Sequence, residues 1–233
     1  GSPIGLIGRG PKGIDPKFAW EPLRLGGLNL MALSGSIGQV ESKEVSLLLL
    51  RRLLDGHHPF EGFLYSSGIE CAVRIISICL LNSLIGDEYT EKDKKQIWTM
   101  VWAHHQWLKR YPSRFSSGNN HRISELVGLL VLECAVPELP DSDPQSVAYE
   151  LLQHIKDLTH PDGVYVEQSL HYQATVMEWV MIGQIFAAKA NIYFPVTEVL
   201  RSMSQYLAAM LGPEGVAPVI GDVDDSFILP MLP

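Results

Sequence analysis

Three polar clusters sit inside otherwise apolar stretches of this sequence, and they hold the residue types best suited to chemistry. Ser117-Gly118-Asn119-Asn120-His121-Arg122 leads into an apolar run through Leu126, Leu129 and Leu130. Its donors therefore stand at a helix start, where free backbone N–H groups and the helix dipole favour an anion. Asn119 or Asn120 taken singly is explained equally well as a cap. Asn120, His121 and Arg122 as a block offer hydrogen-bond donors within one turn, which suits a carboxylate, and Glu125 shares a helix face with His121. The second cluster runs from Asp162-Gly163, a turn signal, through Tyr165, Glu167 and Gln168 to Ser169, where another helix can begin, and on to His171, Tyr172 and Gln173. Such density is unusual for a surface loop, although His171 or Tyr172 alone reads just as well as a packing residue. In the third, Glu70 and Arg74 are spaced i,i+4 in a very apolar stretch. They form either a structural ion pair or a pocket where Arg74 meets an anion.

The elements that must position these clusters are helices. Apolar periodicity and stop signals predict helices over 41–54, 67–85, 90–110, 119–136, 144–159, 169–190 and 196–211, separated by short Gly, Pro and Asp loops. Strand-like alternation is confined to 216–220 and 226–229. The predicted class is all-α, built of antiparallel helical hairpins without a fixed sequence repeat, which leaves a bundle and an α/α toroid both open.

Other chemistries are disfavoured. There is no GxSxG, HExxH, Walker A loop or GxGxxG after a strand. Cys71, Cys79 and Cys134 lack metal-ligand spacing and imply no disulfide framework. Within the pairs His57-His58 and His104-His105 the neighbouring side chains diverge. Gly221-Asp222-Val223-Asp224-Asp225 lacks the full calcium-loop pattern and reads as a turn. No metal or cofactor is expected.

The 233 residues, 46% hydrophobic and 19% charged, are sufficient for a sizeable core, and the formal charge of −8 argues against general nucleic-acid binding. That charge is uneven. Residues 1–137 hold 15 bases and 13 acids, whereas 138–233 hold 3 bases and 13 acids. Within 101–124 the bases Lys109, Arg110, Arg114 and Arg122 stand among Trp102, Trp107, Tyr111 and Phe115 with no acid between them, as either a solvated helix end or an anion-binding wall. No uninterrupted apolar run of about 18 residues occurs, so no membrane span is expected.

Taken in order, "GFLYSSGIECAVRIISI", "SSGNNHRISELVGLLVLE", "DGVYVEQSLHYQATVMEW" and "GDVDDS" resemble the heparinase II/III-like polysaccharide lyases, over roughly residues 15–227. The resemblance implies an α/α-toroid domain over 1–215, incomplete or compact, with 216–233 starting the connection to a C-terminal β-sheet domain absent from this chain. It further implies β-elimination on a uronic-acid-containing polysaccharide, and a periplasmic or secreted location, with a cytoplasmic one left open. By the same resemblance Tyr172, His121 and Asn120 are catalytic, and Arg74, Asn119, Arg122, Glu167 and His171 contact substrate. Gln173 departs from the family, where His often follows the tyrosine. The alternatives are a noncatalytic acidic-polysaccharide binding or assembly component, and an α/α-toroid glycoside hydrolase using a pair from Glu70, Glu125 and Glu167.

Overall fold

The computed structural model describes residues 17–222 and 228–229. Among them are nine α-helices: α1 (Lys17–Leu23), α2 (Gly26–Ser36), α3 (Val40–Gly56), α4 (Gly68–Ile85), α5 (Glu91–Arg110), α6 (Asn120–Ala135), α7 (Pro144–Asp157), α8 (Leu170–Lys189) and α9 (Thr197–Met210). The fold is all-α, and every helix expected from periodicity is present as α3 to α9. The chain forms two compact units. One contains α1–α5, reaches Pro112 and includes Leu229; the other spans Ser113–Ile228 and contains α6–α9.

Two helices escaped the sequence pattern. Pro22 lies inside α1, and α2 carries Gly26, Gly27 and Gly35, residues that weaken helix propensity. Gly35 is there for packing: a Cβ would lie 2.5 Å from the Lys43 Cβ, so its absence lets α2 and α3 approach closely. The expected strand at 216–220 is instead irregular backbone with no ladder partner, and the described residues contain no strand. Residues 226 and 227 of the other expected strand lie outside the described residues.

In the first unit α4 packs on α2 and α5. It is long and apolar enough to cross a membrane, yet its residues from Glu70 to Ile78 are all buried inside the unit. Two of those are charged. Glu70 does not pair with Arg74 as i,i+4 spacing suggested; its carboxylate takes Arg24, Nη2 to Oε1 at 2.7 Å and Nε to Oε2 at 3.1 Å. Arg74 is fully buried and donates to the Leu64 carbonyl and to His104 Nε2, the latter at 3.0 Å. His104 Nδ1 lies 2.8 Å from the Met100 carbonyl. That geometry requires a neutral ring, with Nδ1–H donating to Met100 and the Nε2 lone pair receiving the Arg74 N–H. Asp93 completes a capping box with Thr90 at the start of α5 and also ties that helix to α3 through Arg51 at 2.8 Å.

The second unit is built around α6. Ile123 through Glu133 are all buried, so the helix is enclosed all round, packing on α7 and α8, while α9 packs on α8. Each fully buried Leu or Ile there contributes about 2 kcal/mol relative to exposure. Glu133, though buried, accepts the Asp143 N–H at 2.7 Å, and Asp143 in turn caps α7 by accepting from Ser146 N–H at 3.0 Å.

Burial, with help from the Arg74 charge, pushes His57 down to about 4 and His104 well below its ordinary value of 6.5. Both are neutral when folded, and both take up a proton in the unfolded chain below about pH 6.5. Their contribution to stability is therefore complete above that pH and is lost as pH falls toward 4, whereas Asp93, held at about 2 chiefly by its Arg51 hydrogen bond, keeps its contribution to lower pH. Urea unfolding should show a lower midpoint at about pH 5 than at about pH 7.5, and His57→Gln should shrink that difference.

Candidate active site

Two helix starts in the second unit carry the site. Asn119 precedes α6 and its Oδ1 accepts the His121 N–H at 3.5 Å, a long cap that leaves Asn120 and His121 on the first turn. Ser169 precedes α8, and its hydroxyl accepts the Tyr172 N–H at 3.2 Å while donating to the Asp222 carbonyl at 2.6 Å. Gly221, at φ 74, presses against this cap: a Cβ would fall 2.9 Å from that of Ser169. Asn119, Asn120, His121, Glu167, Ser169, Tyr172, Gly221 and Asp222 line one cleft of about 460 Å³. No acid occupies the first turn of either helix.

The cleft leaves polar atoms unspent. Among the described residues, Glu167 Oε2 and Asn120 Oδ1 are both buried without a hydrogen-bond partner, a costly condition that a bound hydrogen-bond donor would relieve. Burial raises the Glu167 carboxyl above its ordinary value and the Asp222 charge adds to this, against the Asn120 backbone N–H and the Asn119 side chain, which lower it. Burial lowers His121, with Glu125 opposing the shift. His121 is therefore neutral at pH 7, with one nitrogen to donate and one to accept a proton.

The structure thus brings Asn119, Asn120, His121, Glu167 and Tyr172 onto one cleft, and it adds Ser169, Gly221 and Asp222, which sequence reasoning did not place there. Ser169 was legible only as a helix start, and Gly221-Asp222 only as a turn. The other candidates do not line the cleft. Arg122 is committed to Glu125, at 3.4 Å, and to Glu150. Glu125 is saturated further by the Ser113 N–H at 2.9 Å and its hydroxyl at 2.6 Å. His171 sits half-buried on the first turn of α8, and Arg74 is spent inside the first unit. No trio of His, Cys, Asp or Glu among the described residues is grouped to hold a metal ion.

The departure at Gln173 has a structural role. Its Oε1 accepts the Tyr165 N–H at 3.2 Å, and its Nε2 donates to the Gly163 and Met203 carbonyls at 3.1 and 2.9 Å. One buried amide thereby ties the loop before Glu167 to both α8 and α9. Gly163 is required beside it, since a Cβ there would lie 2.1 Å from the Ser202 carbonyl oxygen.

A family model, Heparinase II/III N-terminus, matches residues 67–227. The chain belongs to this family. Among solved structures, Heparinase III shares the fold at a TM-score of 0.72 and 17% identity, over 91% of this chain and 34% of the other. Heparan sulfate lyase HepC from Pedobacter heparinus is similar at a TM-score of 0.67 and 18% identity, over 90% of this chain and 34% of the other. This heparinase II/III-family chain therefore spans about a third of the length of the solved structures it matches. No curated protein sequence matches it.

Gln173→Leu should destabilise the chain by about 2 kcal/mol, because it strands the buried Tyr165 N–H and Gly163 carbonyl and removes the second donor of the Met203 carbonyl. Urea unfolding measures the loss, and a change under about 0.5 kcal/mol would show that the knot is replaceable.

Proposed function

We propose that this chain carries the helical part of a polysaccharide lyase active site that cleaves a uronic-acid-containing polysaccharide by β-elimination. The observation carrying this reading is the single cleft lined by Asn120, His121, Tyr172 and Glu167. The proton on C5 of a uronate is weakly acidic until the adjacent carboxylate is neutralised and the developing enolate is stabilised. Asn120 and His121 at the start of α6 supply donors for that carboxylate. The C5–H pair then forms the C4=C5 double bond as the C4–O bond breaks. Tyr172 is assigned to proton transfer: as phenolate it takes the C5 proton and returns it to the departing oxygen when both lie on one face of the sugar. When they lie on opposite faces, neutral His121 is the base and Tyr172 the acid. The polymer named for a structural relative, heparan sulfate, is the first substrate to test.

A glycoside hydrolase needs two carboxylates flanking the bond. Glu70 and Glu125 are consumed by Arg24 and by Ser113 with Arg122, so that reading would fall to Glu167 and Asp222 on the cleft wall. The products separate the two, since only elimination yields an ultraviolet-absorbing unsaturated uronate. In the protein carrying this chain, Tyr172→Phe and Asn120→Ala should each lower the rate of absorbance increase by at least about 100-fold with thermal unfolding little changed. Full activity in either variant would remove that residue from the mechanism. New reducing ends without absorbance would favour hydrolysis, and saccharide binding with neither product would favour the noncatalytic component.

A further inference from the structure

The first unit contains a second concavity, of about 390 Å³, lined by Phe60, Trp102, Gln106, Trp107, Arg110 and Tyr111. We propose that it is a saccharide subsite that takes one anionic sugar residue of the polymer. Its wall holds two pairs of rings in contact. Phe60 meets Trp102 edge-on at 5.9 Å between centroids, and Trp107 meets Tyr111 at 4.5 Å. Trp107 is buried and fixes the floor, whereas Tyr111 is 53% exposed and Trp102 is half-buried, so both keep ring surface available. Flat aromatic faces of this kind suit the C–H faces of a sugar ring, which bury apolar surface while their hydroxyls stay wet.

The polar groups of the pocket match the rest of such a ligand. Trp102, Gln106 and Arg110 recur every four residues on α5, so an aromatic face, an amide and a guanidinium follow one another along a single stripe. Gln106 offers both a donor and an acceptor for hydroxyls. Arg110 sits 5.9 Å over the Tyr111 ring, and no carboxylate among the described residues pairs with it. The lining contains no acid, and a guanidinium presents a planar fork to carboxylate or sulfate. Phe60 is held in the left-handed region at φ 65, a conformation that costs a bulky residue about 1–2 kcal/mol and here sets its ring against the pocket. The aromatic and basic run at 101–124, ambiguous as sequence, thus has a concrete local arrangement in its first half.

The ligand class rests on the lyase reading above, but the pocket acts in binding and not in chemistry, so the two can fail separately. Titration calorimetry on the protein carrying this chain, in a Tyr172→Phe background that keeps the probe intact, should use a heparan sulfate oligosaccharide and a neutral cello-oligosaccharide of equal length. Trp102→Ala and Arg110→Ala should each weaken the anionic probe about tenfold, and Arg110→Lys should weaken it less than Arg110→Ala. With Tyr172 restored, the same changes should raise KM while leaving kcat within about twofold. Unchanged affinity for both probes overturns the subsite, even if the Tyr172 and Asn120 variants confirm the lyase. A loss caused by Arg110→Ala but not by Trp102→Ala overturns it too, as the signature of diffuse surface charge. Equal affinity for the neutral probe overturns the assignment to an anionic sugar.

Discussion

A single hydroxyl, that of Ser169, holds the cleft together. It accepts the Tyr172 N–H that the first turn of α8 would otherwise leave unpaired, and it donates to the Asp222 carbonyl from a segment 53 residues later. The helix start and the far wall of the cleft are thus tied to the same atom. Gly221 can lie against that cap only because it has no side chain, so Tyr172 and Asp222 share one anchor, while Glu167 takes the Asn120 backbone N–H and the Asn119 side chain. Asn119 performs the matching task at the start of α6.

The treatment of polar groups differs between the structural charges and the cleft. Glu70, Asp93 and Glu133 are buried and each has a specific donor, while Arg74 meets no carboxylate among the described residues and is satisfied by carbonyls and a neutral imidazole. Those arrangements hold helices together and have nothing left to offer a ligand. In the cleft, Glu167 Oε2 and Asn120 Oδ1 are buried and find no hydrogen-bond partner among the described residues, a condition shared by a few buried atoms elsewhere, such as those of Asn29 and Tyr165, but here placed on a cleft wall. The lyase chemistry proposed above is one use for that arrangement.

Much of the fold was legible. Long periodic stretches with caps such as Thr90 and Ser169 read correctly as helices, because local hydrogen bonding and one-sided burial leave a local pattern. The glycine-rich α2 did not, and for Gly35 the reason is tertiary: it serves close contact with Lys43 of α3, which leaves no local pattern. Nor could spacing choose partners: Glu70 and Arg74 stand one turn apart, yet Arg24, 46 residues earlier in sequence, captures Glu70. Local spacing also hid the second partner of Arg122, since Glu150 lies 28 residues away.

By itself the sequence determined the helical class and the two helix starts rich in polar groups, since these follow from residue chemistry and from periodicities of a few positions, while the resemblance of its motifs to a family singled out Asn120, His121 and Tyr172. Only the tertiary structure decided which polar groups are spent and which remain. It withdrew Arg74, Arg122 and Glu125 into packing, brought Gly221 and Asp222 to the cleft and left Glu167 partly unpaired. The physical reason is that a charge's role depends on which distant group reaches it first, and the three-dimensional chain path settles that.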